Sequence, residues 1–189
     1  PTIDTAVSMR DLSKYKELRV QASEVYSKDA ISLNVNKDEF LVALEQAFYF
    51  NMIICYSQGM HLLTKASEEY KYDLHLGDIA KIWRGGCIIR SEFLNDIFNA
   101  YQKDAKLPHL LLDGHVEDLV KAAVPGSRKV LSATIAAGIA APAYASALSY
   151  FDSFRDKRMP SNRTQAQRDY FGAHTYELIG KEGVFHTQW

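Results

Sequence analysis

The chain has 189 residues, with 22 basic and 23 acidic side chains and two cysteines. This length suits one domain with at most an appendage, and the balanced charge argues against a nucleic acid or an anionic membrane surface as the main partner. Cys55 and Cys87 are isolated, and the opening residues have no leader pattern. We therefore predict free thiols in a reducing, cytoplasmic compartment.

A helical period of apolar residues runs through most of the chain and predicts an all-α fold. Residues 3–26 indicate either two short helices or one broken helix. Asn36 is followed three residues later by Glu39, which is the pattern of a capping box and predicts the start of a helix over 37–70. The middle of this helix, residues 47–55, is apolar nearly all round and is predicted to be buried.

Shorter helices are predicted after residue 75. The first begins near Asp78 and ends at the paired glycines 85–86, since glycine commonly follows a helix end. An amphipathic helix is predicted over 90–104. The next begins near Asp113, a good capping residue, and we expect the Val-Pro-Gly sequence at 124–126 to end it.

An uncharged stretch over residues 130–151 is long enough to cross a bilayer. Its alanine, serine and glycine content is only weakly apolar, and Pro142 lies within it, so we predict two closely packed core helices, with Pro142 in the first turn of the second. A charged linker at 152–164 follows. Residues 165–179 are predicted to be helical, and the remaining residues to form a short extended tail.

Motifs for metal or nucleophilic chemistry are missing from the sequence. It has no HExxH, no CxxC, no GxSxG and no glycine-rich phosphate loop after a strand. The six histidines are scattered, and we interpret them as solvated or hydrogen-bonded side chains rather than metal ligands. We therefore predict no metal site and no catalytic cysteine or serine in this chain.

Three cationic side chains remain as candidates for binding an anion: Arg19, Arg168 and His174. Arginine presents a fixed fork of donors that fits phosphate oxygens, and histidine adds a further donor. On an ideal helix, Arg168 and His174 are about 120° apart. Either they face different surroundings, or Gly172 breaks the helix and turns His174 round. By spacing alone, each arginine could equally be a solvated surface residue.

Five segments carry a resemblance to a known family. They are, in chain order, "LRVQAS" (18–23), "WRGGCIIRSEFL" (83–94), "ASALSYFDSFR" (145–155), "QAQRDYFGAHTYE" (165–177) and "KEGVFHTQW" (181–189). These segments resemble the 6-phosphogluconate dehydrogenase family, and the match is in order over the entire chain.

The resemblance implies a homodimeric cytoplasmic oxidoreductase of the pentose phosphate pathway and gluconate utilization. Enzymes of this family bind NADP in an N-terminal Rossmann domain and convert 6-phosphogluconate to ribulose 5-phosphate by oxidation and decarboxylation. The resemblance begins inside the helical domain, so the NADP site, the catalytic lysine and the acidic proton donor would lie outside this chain. We therefore expect a C-terminal part of the enzyme that is inactive in isolation.

The resemblance also implies roles for the three cationic residues. Arg19 would bind the substrate phosphate from its own subunit, whereas Arg168 and His174 would reach the active site of the neighbouring subunit. We expect a helical domain over 1–157 and a C-terminal tail, or arm, over 158–189. The alternative interpretation is a non-enzymatic helical dimerisation module with residual affinity for anions.

Overall fold

The structure, a computed structural model, describes residues 1–26 and 32–189. Its elements are α1 (Thr2–Ser13), α2 (Lys16–Val25), α3 (Lys37–Tyr70), α4 (Leu76–Arg84), α5 (Phe93–Lys103), a 3-10 helix (Leu110–Leu112), α6 (Gly114–Ala136), α7 (Pro142–Phe154), α8 (Asn162–Gly172), β1 (Tyr176–Glu177) and β2 (Val184–Phe185). Helices dominate the described residues, which confirms the predicted all-α class. The chain forms two compact units, Pro1–Phe151 and Asp152–Trp189.

The N-terminal residues form two helices, which was one of the two predicted alternatives. The start of α1 is joined to α3 by a reciprocal pair of hydrogen bonds. The Thr2 amide donates to Gln58 Oε1 at 3.1 Å, and Gln58 Nε2 donates to Thr2 Oγ1 at 3.0 Å. Thr2 is buried, whereas α2 has no buried residue. The first helix is therefore anchored at its N-terminus.

The start of α3 follows the predicted cap. Asn36 Oδ1 accepts hydrogen bonds from the amides of Asp38 and Glu39, each at 3.1 Å, which satisfies two donors of the first turn. Glu39 takes a different partner from the one a capping box implies, because its Oε2 accepts from Lys129 Nζ on α6 at 3.0 Å. The same turn is thus both capped and joined to α6.

The apolar middle of α3 supplies much of the core, but not on every side. Phe50, Ile53 and Ile54 are fully buried, whereas Phe48 is 63% exposed. The predicted burial of this segment is therefore wrong at Phe48, because the helices that pack on α3 leave that side uncovered. The core is completed mainly by residues of α4, α5, the 3-10 helix and α6: Ala80, Phe93, Leu94, Ile97, Leu110, Val116 and Val120.

The uncharged stretch at 130–151 is divided between two helices, as predicted. α6 ends at Ala136, and α7 begins at Pro142, where the fixed φ of proline suits a first turn. Within the described residues, α3 is the helix that is long and apolar enough to cross a bilayer by length and composition. Core helices of soluble proteins also have this property.

Helix α6 differs from its prediction at one end. Its start is confirmed, because Asp113 Oδ1 accepts from the amides of His115 at 3.0 Å and Val116 at 3.1 Å. Its predicted end at 124–126 is wrong, because the helix continues through Pro125 to Ala136.

Close packing against α3 explains why α6 continues. Proline inside a helix removes one hydrogen bond and crowds the preceding turn, at a cost of about 3 kcal/mol. At the next residue, Gly126, a side chain would collide with α3: a Cβ atom there would lie 2.5 Å from Gln46 Cβ and 2.8 Å from the Ala43 carbonyl oxygen. Because Gly126 has no side chain, α3 and α6 can pack closely at this point. The packing along both helices offsets the free-energy cost of Pro125.

We expect Gly126→Ala to destabilise the chain. The added methyl group must move Gln46 and the backbone of Ala43, and overpacking of this kind costs about 1–3 kcal/mol. The higher helix propensity of alanine returns up to about 1 kcal/mol. Urea unfolding followed by circular dichroism measures the difference. Gly114→Ala is the matched control on the same helix, because its Cβ would meet open space; equal stability of the two variants would contradict the close approach.

The second unit contains a shorter helix than predicted and a small hairpin. The predicted helix over 165–179 is wrong beyond Gly172, where α8 ends. The chain then reverses, and β1 pairs antiparallel with β2, with Tyr176 opposite Phe185. Gly180 and Gly183 lie in the connecting turn with φ of 76° and 104°, a region that glycine adopts without strain. The tail is therefore a hairpin rather than a simple extended segment.

Candidate functional site

Arg19 lies in the first unit, on the exposed helix α2. Its Nη2 donates to the Ser13 carbonyl oxygen at 3.1 Å, which directs the side chain back toward the end of α1. Arg19 lines an open cavity of about 600 Å³, together with Ala22, Ser23 and Tyr26. A forked cation at the edge of an open cavity is suited to binding an anion.

Arg168 lies on α8 in the second unit and is exposed to solvent. Within residues 1–26 and 32–189, its guanidinium has no hydrogen bond or ion pair. All of its donors are therefore available to a ligand, and an arginine can give an anion two parallel hydrogen bonds.

His174 lies just beyond the helix rather than within it. α8 ends at Gly172, and Ala173 takes a left-handed conformation with φ of 50°. The imidazole then folds back, so that a Cβ atom on Gly172 would lie 3.0 Å from His174 Nε2. Residues 168 and 172 share one face of a helix. The end of α8 therefore brings His174 back to the face that carries Arg168, which selects the second of the two sequence-based alternatives.

Asp169 is the polar centre of the second unit. Its side chain is fully buried, and each carboxylate oxygen accepts two hydrogen bonds. Oδ1 accepts from the Thr175 amide at 3.0 Å and from His186 Nδ1 at 2.9 Å. Oδ2 accepts from the Thr187 amide at 3.0 Å and from Trp189 Nε1 at 3.1 Å. One side chain thus joins α8 to the loop after it and to the last residues of the chain.

These hydrogen bonds favour the charged form of Asp169. Burial by itself raises the pKa of the carboxyl group, but the four donated hydrogen bonds outweigh burial and lower the pKa from 3.8 to about 2. Because the pKa is lower in the folded than in the unfolded state, the carboxylate stabilises the fold fully above about pH 4. That contribution is lost as the pH falls toward about 2.

The loop that carries His174 is held in an unfavourable backbone conformation. Ala173 and Thr175 both have positive φ, at 50° and 59°, which side chains with a Cβ rarely adopt. Strain of this kind costs on the order of 1–3 kcal/mol per residue and persists only where surrounding contacts impose it. Gln165 Nε2 donates to the Thr175 carbonyl oxygen and adds one such contact.

Asp169, His186 and Trp189 were not among the residues predicted from sequence. One signal was present: an acidic residue in the last turn of a helix faces the negative end of the helix dipole, which is unfavourable unless tertiary contacts compensate. The partners of Asp169 lie up to 20 residues away, and no local period indicates them. The aromatic ring of Trp189 also contacts Tyr170, at 5.5 Å between ring centroids.

His109 has a structural rather than a chemical role. His109 is buried; its Nδ1 accepts from the Leu111 amide at 3.2 Å, and its Nε2 pairs with the Tyr150 hydroxyl at 2.9 Å. Burial, and then the neighbouring His61, lower the pKa of His109 to about 4, so it is neutral at pH 7. In the described part of the chain, no three His, Cys, Asp or Glu side chains are arranged to hold a metal ion.

The structure therefore brings two of the three predicted residues to one surface. Arg168 and His174 share a face of the Asp152–Trp189 unit, and Arg19 belongs to the Pro1–Phe151 unit. A phosphate group, with its negative charge and several acceptor oxygens, is the kind of ligand that an unpaired arginine beside a histidine can bind.

Comparison with known proteins gives a family match over the whole chain. The family model described as "6-phosphogluconate dehydrogenase, C-terminal domain" matches residues 1–189. The chain is 48% identical over 189 residues to the "6-phosphogluconate dehydrogenase, decarboxylating" of Lactococcus lactis subsp. lactis (strain IL1403). It is 45% identical over 190 residues to the "6-phosphogluconate dehydrogenase, NADP(+)-dependent, decarboxylating" of Bacillus subtilis (strain 168). Both alignments cover 100% of this chain and 40% of the relative, so the chain spans about two fifths of their length.

A solved structure is similar over the same extent. The Plasmodium falciparum 6-phosphogluconate dehydrogenase has been solved in its apo form, in complex with its cofactor NADP+ and in complex with its substrate 6-phosphogluconate. It matches this chain with a TM-score of 0.93 and 43% sequence identity, and the match covers 100% of this chain and 41% of that one.

Proposed function

Because the chain belongs to the family of 6-phosphogluconate dehydrogenase C-terminal domains, we propose that it is the substrate-phosphate-binding and dimer-forming part of a longer enzyme. The longer enzyme would oxidise and decarboxylate 6-phosphogluconate with NADP in the cytoplasm. The observation that carries the proposal is the exposed, unpaired guanidinium of Arg168, with His174 folded back onto the same helix face.

The proposed ligand fits the chemistry of this surface. The phosphate of 6-phosphogluconate is an anion with several acceptor oxygens. The fork of Arg168 can donate to two of them, and His174 can donate to another. Charge-assisted hydrogen bonds of this kind are stronger than neutral ones. We propose that Arg19 binds the same phosphate from the helical domain, residues 1–157, and that the tail, residues 158–189, reaches the other subunit.

We propose that NADP is held outside this chain. Dinucleotides bind where a glycine-rich turn connects a strand to a helix, so that the helix N-terminus meets the pyrophosphate. The described residues offer two strands of two residues each, paired in one hairpin, and no such turn. These residues do not fit the cofactor, and the chemistry of hydride transfer is therefore assigned to the rest of the protein.

A second candidate is a non-enzymatic helical dimerisation module. It is favoured by the apolar side chains exposed on α1 and α2, among them Ile3, Leu18 and Val25, which are 59%, 62% and 74% exposed. Apolar surface of this kind commonly marks an interface. Both candidate functions predict a dimer, so only a measurement of catalytic turnover distinguishes them.

The decisive experiment is an assay of the full-length protein and of the 189-residue chain side by side. We expect the full-length protein to form NADPH from NADP+ and 6-phosphogluconate with release of CO2. We expect no turnover from the isolated chain, because the proposed site for the hydride acceptor lies outside it. A full-length protein that is folded and dimeric but inactive would favour the dimerisation module.

A further inference from the structure

We propose that Asp169 is a positioning residue for the substrate phosphate. Its buried carboxylate accepts hydrogen bonds from the loop after α8 and from the last residues of the chain, and these bonds hold Arg168 and His174 on one face. This inference rests on the proposed function, since it assumes that Arg168 and His174 bind the phosphate. It adds a residue that touches no ligand and acts through the two that do.

Asp169 anchors both sides of His174. The carbonyl oxygen of Asp169 accepts from the Ala173 amide at 2.8 Å, and its carboxylate accepts from the Thr175 amide at 3.0 Å. His174 lies between these two bonded residues, and Arg168 is joined to Asp169 by a peptide bond. Asp169 is thus the residue through which the positions of both cations are related.

The loop after α8 would not keep its shape without contacts from other residues. Ala173 and Thr175 both have positive φ, and threonine, being β-branched, adopts that conformation with difficulty. Without the bond to the carboxylate, the hydrogen bond from Gln165 to the Thr175 carbonyl oxygen has less support against this strain, and Thr175 returns more easily to a common backbone conformation. His174 would then leave the surface of Gly172, against which its ring now lies.

The Asp169 carboxylate forms its hydrogen bonds with the protein rather than with a ligand. It is fully buried, and its two oxygens accept from Thr175, His186, Thr187 and Trp189. A carboxylate facing the site would repel a phosphate, whereas this one is turned inward and its acceptor positions are occupied. Its effect on phosphate binding therefore passes through the geometry of its neighbours.

The test uses the full-length enzyme and the variant Asp169→Asn. The amide has nearly the same shape, but its NH2 group is a donor and faces N–H donors from which a carboxylate oxygen accepted. We expect the KM for 6-phosphogluconate to rise about tenfold, while the KM for unphosphorylated gluconate changes less than about twofold. A merely structural role would lower activity toward both substrates alike. Asp156→Asn is the matched control, because it is the same change at an exposed aspartate of the same unit.

Two further variants keep the inference falsifiable. Trp189→Phe removes the indole donor to Asp169 while keeping an aromatic ring next to Tyr170, and it should raise the KM for 6-phosphogluconate in the same direction but less, even if Asp169→Asn folds poorly. In a protein carrying Arg168→Ala and His174→Ala together, adding Asp169→Asn should have little further effect on that KM, because the residues act as one unit.

The outcomes separate this inference from the function on which it rests. A substrate KM unchanged by Asp169→Asn, an equal loss with gluconate, or full additivity in the combined variant would overturn the positioning role and leave the phosphate site standing. A KM unchanged by Arg168→Ala with His174→Ala would overturn the phosphate site itself, and the positioning role with it.

Discussion

Replacing Arg168 by alanine in the full-length enzyme should weaken the binding of 6-phosphogluconate about ten- to a hundredfold and leave the binding of NADP nearly unchanged. The variant would lose the proposed charge-assisted, two-point contact with the phosphate, and such a contact is worth about 1.5–3 kcal/mol. His174→Ala should act in the same direction but more weakly, since the imidazole offers a single hydrogen bond. Isothermal titration with 6-phosphogluconate and with NADP+ measures both affinities.

Arg163→Ala is the matched control for this change. Arg163 is an exposed arginine on the same helix, and five helical residues place it about 140° round from Arg168. Its loss removes the same charge from the same element, so a general electrostatic effect would appear in both variants. If Arg163→Ala weakened substrate binding as much as Arg168→Ala, the fork of Arg168 would not be the phosphate contact.

Mixing two weak mutants should restore activity if the tail serves the neighbouring subunit. One parent carries Arg19→Ala and the other Arg168→Ala, and each homodimer has one defect in every active site. In the mixed dimer with crossed tails, one site receives both defects and the other receives none. We therefore expect activity near half that of the unmutated enzyme, measured after subunit exchange has been verified with two different affinity tags.

A reciprocal mixture contains the same two substitutions, but both are on one subunit. Unmutated subunits mixed with subunits that carry both Arg19→Ala and Arg168→Ala give, with crossed tails, a dimer that has one defect in each site. If the tail stays with its own subunit, the ranking is reversed, and this second mixture has the intact site. Higher activity in the second mixed dimer would exclude a tail that acts on the partner.

Local sequence signals were sufficient wherever a short-range contact decides the structure. Asn36, Asp113 and Pro142 all mark helix starts that the structure confirms, because capping and the fixed φ of proline depend on neighbours within one turn. Local signals failed at Pro125, where the stop they predict is absent. The outcome there depends on Gln46, about eighty residues earlier in the chain, which meets Gly126 in the helix crossing.

For the candidate site, too, one part could be inferred before the structure was known and another part could not. The type of ligand was inferred from the family resemblance, because by spacing alone each arginine could equally be a solvated surface residue, and it stays a prediction. The arrangement of Arg168 and His174 could not be predicted, because a helical spacing of six residues separates them. They share a face only because α8 ends at Gly172, and the contacts of Asp169 that stabilise this ending reach to Trp189.

The sequence by itself determined the helical class, three helix starts and the family to which the chain belongs. Periodicity, caps and long characteristic segments are properties of neighbouring residues, and no folding is needed to read them. The tertiary structure decided where α6 and α8 end and which cations lie together. These features depend on a close helix crossing at Gly126 and on a buried carboxylate at Asp169. At both places, contacts with residues distant in sequence outweigh the local conformational preference of the chain.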